Sequence, residues 1–198
     1  TQASGLGVWE EEYNREFHVA KEELWAIEGL PMYRGWDFGL QPACIFGQVD
    51  AMLRLNVLAE LVTWNGRGAM NQHGIEWLIP QVIAISNREF PEMEWIDYVD
   101  PAGGAKGQKD ESTCVDAMIE AGINPQPGPV TWTARRKAMR EQLTRVAGGR
   151  AAILIDPSCQ MIKEGFGGAY KWKEIGEGSG KYLEIVDKNA WSHPMNGL

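Results

Sequence analysis

The sequence predicts an α/β protein in which an antiparallel three-strand meander and parallel strands share one mixed β-sheet flanked by helices. Three observations carry this reading. Apolar runs at 33–38, 43–49 and 52–61 follow one another across the short connections GLQP and VDA, which is hairpin spacing. Ile75, Leu78, Ile79, Val82 and Ile85 then recur at helical spacing before a fourth run at 95–99. A connection long enough to hold a helix is what a parallel return beside the first strand requires.

The elements follow in order. Residues 1–31 read as an acidic lead-in with a short helix around 10–16, closed by GLP before the first strand. After the meander, a helix is expected over 71–87, with Pro80 kinking it or marking a late start. EWIDYVDPAGG is a strand that ends abruptly, with Asp100 at its last position and Pro101 breaking it. A helix at 111–121 should stop at Gly122, since glycine readily takes the left-handed conformation that closes helices. In TWTARRKAMREQLTRVAGGR, 131–150, six basic residues (Arg135, Arg136, Lys137, Arg140, Arg145, Arg150) face one acid, Glu141. Met139, Leu143 and Val146 form an apolar stripe there, with the arginines expected on the opposite surface. AAILID is a short strand, PSCQMIKEGFGG a helix ending in glycine, KYLEIVD a final edge strand, and AWSHPMNGL begins another helix near Ser192.

Composition narrows the function classes. A chain of 198 residues, 44% hydrophobic, can bury one good core. Cys44, Cys114 and Cys159 are widely spaced and contain no CxxC, which indicates neither a disulfide framework nor a zinc knuckle and suits a reducing compartment. No apolar run reaches membrane-spanning length, and the N-terminal stretch lacks a signal-peptide pattern; its start without methionine fits an excised fragment. The net charge of −8 argues against a whole-surface affinity for nucleic acid. The basic helix reads equally well as a solvated face or a phosphate-contacting one.

One residue asks for explanation. Asp37 lies inside the buried-looking strand YRGWDFG, between Trp36 and Phe38, where an unpaired charge is costly. It needs a cation, a set of donors or a metal. If the fourth strand returns beside the first, Asp37 and Asp100 become neighbours, and two such carboxylates repel unless a cation lies between them. Magnesium or manganese, which accept hard oxygen ligands, would resolve the conflict. Asp97, three positions before Asp100, should point to the other face. Asp110 and Asp116 suit a helix N-terminus and its exposed side, and His18 and His73 have no partner at metal spacing.

YRGWDFG, the later VDPAGGAKGQKDEST and the final SHPMNGL together resemble the nuclease domain of the large terminase subunit of tailed bacteriophages. The likeness runs over most of the chain, and the Asp-Pro-Ala-Gly segment is its most specific part. It implies an RNase H-like fold, in the broad group of RuvC resolvases and retroviral integrases. Residues 1–31 would be a lead-in from an N-terminal ATPase region, and 32–198 the nuclease domain. No motor is visible, since GEGSGKY has the wrong spacing for a phosphate loop. Asp37 matches the first metal-binding aspartate and Asp100 the second. The third acid belongs to a Ser-His-x-x-Asp-Ala-Leu motif, and Asn196 stands in its place here. Natural variation, an engineered inactivation, or a shifted register with the aspartate beyond Leu198 would each account for this.

The activity implied is metal-dependent cleavage of double-stranded DNA, with little sequence specificity, during viral genome packaging, using two Mg2+ or Mn2+ ions. Arg135, Arg136, Lys137 and Arg140, with Lys106 and Lys109 on the glycine-rich loop, are the expected DNA contacts. His193 could position water or phosphate, although a local contact at the helix start is the simpler reading. The implied partners are double-stranded DNA, the ATPase domain, the small terminase subunit and the portal, with no membrane, in the host-cell cytoplasm. A non-catalytic DNA-gripping or portal-docking module, or a branched-DNA resolvase, would share the fold.

Overall fold

The computed structural model describes residues 6–39, 41–63, 74–99, 108–129, 131–176 and 178–198, with backbone only over 108–113. The lead-in is knit to the body of the fold. Val8 N–H donates to the Tyr170 carbonyl at 3.0 Å, and Ala20 N–H to that of Ile155 at 2.9 Å. The short helix falls later than expected, as α1 (Arg15–His18), because the Asn14 side chain accepts from Glu16 N–H at 2.9 Å and starts it there. His18 is fully buried. Asn14 N–H donates to its Nδ1 at 2.9 Å, so the ring proton lies on Nε2, which donates to the Leu143 carbonyl at 2.8 Å.

The meander is β1 (Met32–Asp37), β2 (Ala43–Val49) and β3 (Leu55–Val62). β3 starts three residues later than the apolar run suggests. The Asp50 carboxylate accepts from the N–H groups of Met52 and Arg54, at 2.9 and 3.1 Å, and so holds a turn through Leu53, whose φ is 57°. Next come α2 (Ile75–Glu89), which passes through Pro80 in its second turn, and β4 (Trp95–Val99). α3 (Gln108–Glu120) ends as expected at Gly122, φ 81°. Ile123 N–H reaches the Met118 carbonyl and Gly122 N–H that of Ile119, a Schellman closure.

β5 (Pro125–Pro127), absent from the sequence reading, is tolerated as a proline-bearing strand because it lies at the sheet edge. α4 (Trp132–Thr144) is capped by the Thr131 side chain, and the hairpin of β6 (Val146–Ala147) and β7 (Arg150–Ala151) leads into β8 (Ile153–Ile155). Val146 therefore leaves the helical stripe and is exposed. α5 (Gln160–Glu164) continues into a π-helical turn, Gly165–Ala169; β9 (Trp172–Glu174) and β10 (Tyr182–Val186) follow, and α6 (Ser192–Gly197) comes last. KYLEIVD does not border the main sheet as expected. It pairs with β9, which the sequence reading missed, in a separate two-stranded sheet.

The main sheet runs β5-β4-β1-β2-β3-β8, and β2 is antiparallel to both of its neighbours while the other pairs are parallel. The fourth strand does return beside the first, with Trp36 opposite Val99. Strand alternation divides the core between the two faces. Met32, Trp36, Cys44 and Phe46 pack under Leu78, Ile79 and Val82 of α2. Ile45, Val57, Ile153 and Ile155 pack with Trp9, Leu143 and Phe166 on the other side. β2 is buried on both faces, which is why ACIFGQV reads as a nearly continuous apolar run. No described helix is long and apolar enough to cross a membrane.

Candidate functional site

Asp37 is the last residue of β1 and only 4% exposed. Its chain neighbour Trp36 pairs with Val99, the chain neighbour of Asp100. Asp100 itself and Lys106 lie outside the described residues, and so does the side chain of Lys109. The element that covers Asp37 is α6, and the two glycines of YRGWDFG let it approach. A Cβ on Gly35 would stand 1.7 Å from the Gly197 carbonyl oxygen, and one on Gly39 2.1 Å from His193 Cε1. A larger residue at Gly35 would push the α6 backbone off the strand, and one at Gly39 would displace the His193 ring. With α6 seated, His193 Nδ1–H donates to Asp37 Oδ2 at 2.5 Å. The local helix-start contact expected for His193 is thus replaced by one across 156 positions of sequence, which nothing in its own neighbourhood could signal.

Four aspartates are buried among the described residues, and their partners set Asp37 apart. Asp97 points to the other face as expected. Arg34 grips it at 2.7 and 2.8 Å, and Trp36 Nε1–H donates to it at 2.7 Å. Asp50 faces Arg54 at 2.7 Å and Arg150 at 3.4 Å. Burial alone would raise its pKa, but hydrogen bonds from Arg54 and Met52 outweigh that and bring it below the usual carboxylate value. Asp156 accepts from Leu24 N–H at 2.7 Å and from the N–H and hydroxyl of Ser158. Asp37 has one imidazole and, among the described residues, neither arginine, lysine nor backbone donor. A buried oxygen donor this poorly compensated fits a hard divalent cation. No group of three or more His, Cys, Asp or Glu side chains gathers at metal-binding distance among the described residues.

Asn196 lies on α6 one turn after His193, and its Oδ1 accepts from the hydroxyl of the buried Tyr170 at 3.2 Å. Tyr170 is a residue the sequence reading missed. Beneath α4, Asn196 and Gly197 border a cavity of about 250 Å³ together with Arg135 and Arg136.

The basic helix divides differently from the expectation. Arg135 and Arg136 are half-buried and turned toward the body, and the Arg136 guanidinium lies 5.0 Å from the Trp172 ring centre. α4 presents Trp132, Met139 and Leu143 inward, and a planar guanidinium packs well among such rings. Lys137 and Arg140 do face outward. Arg140, 57% exposed, is held at 2.9 Å by Glu12, whose side chain is 7% exposed. Arg145 and Arg150 are structural: the first donates to the carbonyls of Met52 and Leu53, the second to Asn56 at 2.8 Å.

No family model matches the sequence, and no curated protein matches it either. Solved structures do. The large terminase of a thermophilic bacteriophage is 13% identical over 98% of this chain and 43% of its own, with a TM-score of 0.72. Its complex with ATP-gamma-S gives the same score over 44% of its length, so the chain spans less than half of that protein. The P22 large terminase nuclease domain is 14% identical over 100% of this chain and 90% of its own, with a TM-score of 0.63. A six-stranded mixed sheet flanked by helices, matched over 98 to 100% of the chain by those structures, gives this chain the RNase H-like fold of the phage large-terminase nuclease.

Proposed function

We propose that the chain is a metal-dependent endonuclease domain that hydrolyses the phosphodiester backbone of double-stranded DNA, with little sequence preference, during viral genome packaging. The observation that carries this reading is Asp37: a buried carboxylate at the end of the central strand that meets a single imidazole among the described residues, whereas Asp97 and Asp50 meet arginines and Asp156 accepts from three N–H or O–H donors. The parallel register supports Asp100 as its companion, since position 100 follows Val99 as Asp37 follows Trp36. Asp37 and Asp100 would hold Mg2+ or Mn2+, with the amide oxygen of Asn196 as a third, uncharged donor. The chemistry such ions supply is neutralisation of developing charge and activation of water at neutral pH. His193 fixes the orientation of the Asp37 carboxylate through Nδ1–H, and its Nε2 remains to hydrogen-bond water or phosphate. Lys137 and Arg140 offer charge to the DNA backbone from the outer face of α4, with Arg135, Arg136, Lys106 and Lys109 as further contacts. In the longer protein the partners would be an ATPase domain, the small terminase subunit and the portal, in the host-cell cytoplasm.

A second reading has one observation in its favour. Asn196 brings no charge, and its oxygen is already engaged by Tyr170, which suits a DNA-gripping module that no longer cuts. Incubating supercoiled plasmid and a four-way junction with the protein and Mg2+ or Mn2+ separates the readings. Nicked or linear plasmid is expected, and none with Asp37→Asn at an unchanged melting temperature. Binding without cutting supports the gripping module, cutting confined to the junction a resolvase, and cutting that survives Asp37→Asn overturns the metal assignment.

A further inference from the structure

The cavity beneath α4 is more than a gap in packing. Trp9, Tyr98, Trp132 and Tyr170 contribute aromatic walls, and Trp132 meets Tyr170 edge-on with ring centres 6.1 Å apart. It reaches Gly35, two positions from Asp37 on the same strand. Arg135 and Arg136 border the same space and bring positive charge beside the rings. Trp132 and Arg136 also border a second groove along α4, together with Lys137, Arg140, Trp172 and one acid, Glu184.

We propose that the cavity receives one unpaired base of the DNA, stacked on Trp132 and Tyr98, while the backbone of that strand passes along Lys137 and Arg140. The inference rests on the nuclease reading and deepens it, by naming the local state of the DNA that the site prefers. A space of about 250 Å³ holds a planar ring system and excludes a duplex. Aromatic walls bind the face of any base, which gives stacking without sequence readout. The guanidinium groups at the cavity border favour the electron-rich edge of a base and the phosphate attached to it over a hydrocarbon. A paired base stays in its stack, so the cavity selects strand ends, bulges and mismatches, where unstacking costs least.

Photo-crosslinking tests this without cleavage. The Asp37→Asn protein is mixed with oligonucleotides that carry 5-iododeoxyuridine in a bulge, in a single-stranded end or in a paired position. The expected result is crosslinking to Trp132 or Tyr98 from the unpaired positions, at several times the yield from the paired one. Ala138→Phe, which fills the cavity from α4, should weaken single-strand binding by about 5- to 160-fold, the span that one lost base stack represents. Trp132→Phe, which keeps a ring, should retain the crosslink that Trp132→Ala loses. Equal yields from paired and unpaired positions, or crosslinks only outside the cavity, would overturn the proposal. The nuclease reading fails separately, if the unaltered protein cuts no DNA.

Discussion

Gly35→Ala is the sharpest test of how the site is assembled. The added methyl would lie 1.7 Å from the Gly197 carbonyl oxygen, where ordinary contact begins at 3.4 Å, so α6 must retreat by about 1.7 Å. The obstacle is backbone on both sides and cannot be relieved by a rotamer change. Forcing a methyl into such a contact costs about 1–3 kcal/mol, against about 0.4–1 kcal/mol gained from a stiffer unfolded chain, so the steric term wins. A chain of this size should lose roughly 2–6 °C in melting temperature. The retreat also draws His193 away from Asp37, and under the proposed nuclease chemistry a displacement above 1 Å there would be worth about 10²-fold in rate. Urea unfolding, hydrogen exchange over 192–197 and plasmid cleavage measure the three effects. Unchanged exchange in α6 together with unchanged stability would refute the argument, because the strand would then have room that the geometry denies.

Asp97→Ala leaves the Arg34 guanidinium buried without its counter-ion and the Trp36 N–H without an acceptor, and should cost about 3–5 kcal/mol in urea unfolding; a loss below about 1 kcal/mol would mean that Arg34 finds another partner. Asp50 has a folded pKa below its ordinary value of 3.8, so its stabilising contribution is present above that pH and is lost as the pH falls through the lower folded value. The stability difference between the unaltered protein and Asp50→Asn should therefore shrink in acid, and a difference that stays flat from pH 5 to the acid limit of folding, measured by urea titration, would contradict it.

The central strands were legible because they carry their own evidence. ACIFGQV is apolar on both faces, and WIDYV stops at a proline and glycines, so their bounds could be read without knowing the neighbours. The parallel return of β4 and the inward turn of Asp97 followed from connection length and strand parity. What could not be read depends on distant partners. Gly35 and Gly39 look like thin backbone until α6 is seen lying on them, and His193 looks local until its partner is found on β1. Arg135 and Arg136 looked solvent-facing because a charge count does not register the aromatic bed of Trp132 and Trp172 that draws a guanidinium inward. Likewise β9 and β5 are too short, and β5 too rich in proline, to announce themselves as strands.

The union of Asp37 with His193 closes a loop of 156 positions, and that has a consequence for the order of assembly. Closure entropy grows with loop length, so this contact is among the costlier ones to form and depends on the rest of the sheet being in place. A ribosome that has delivered the meander and β4 has produced a strand end still awaiting its lid, because α6 emerges only after β9 and β10. The carboxylate thus gains its histidine only after β9 and β10 have been delivered, well after its own strand.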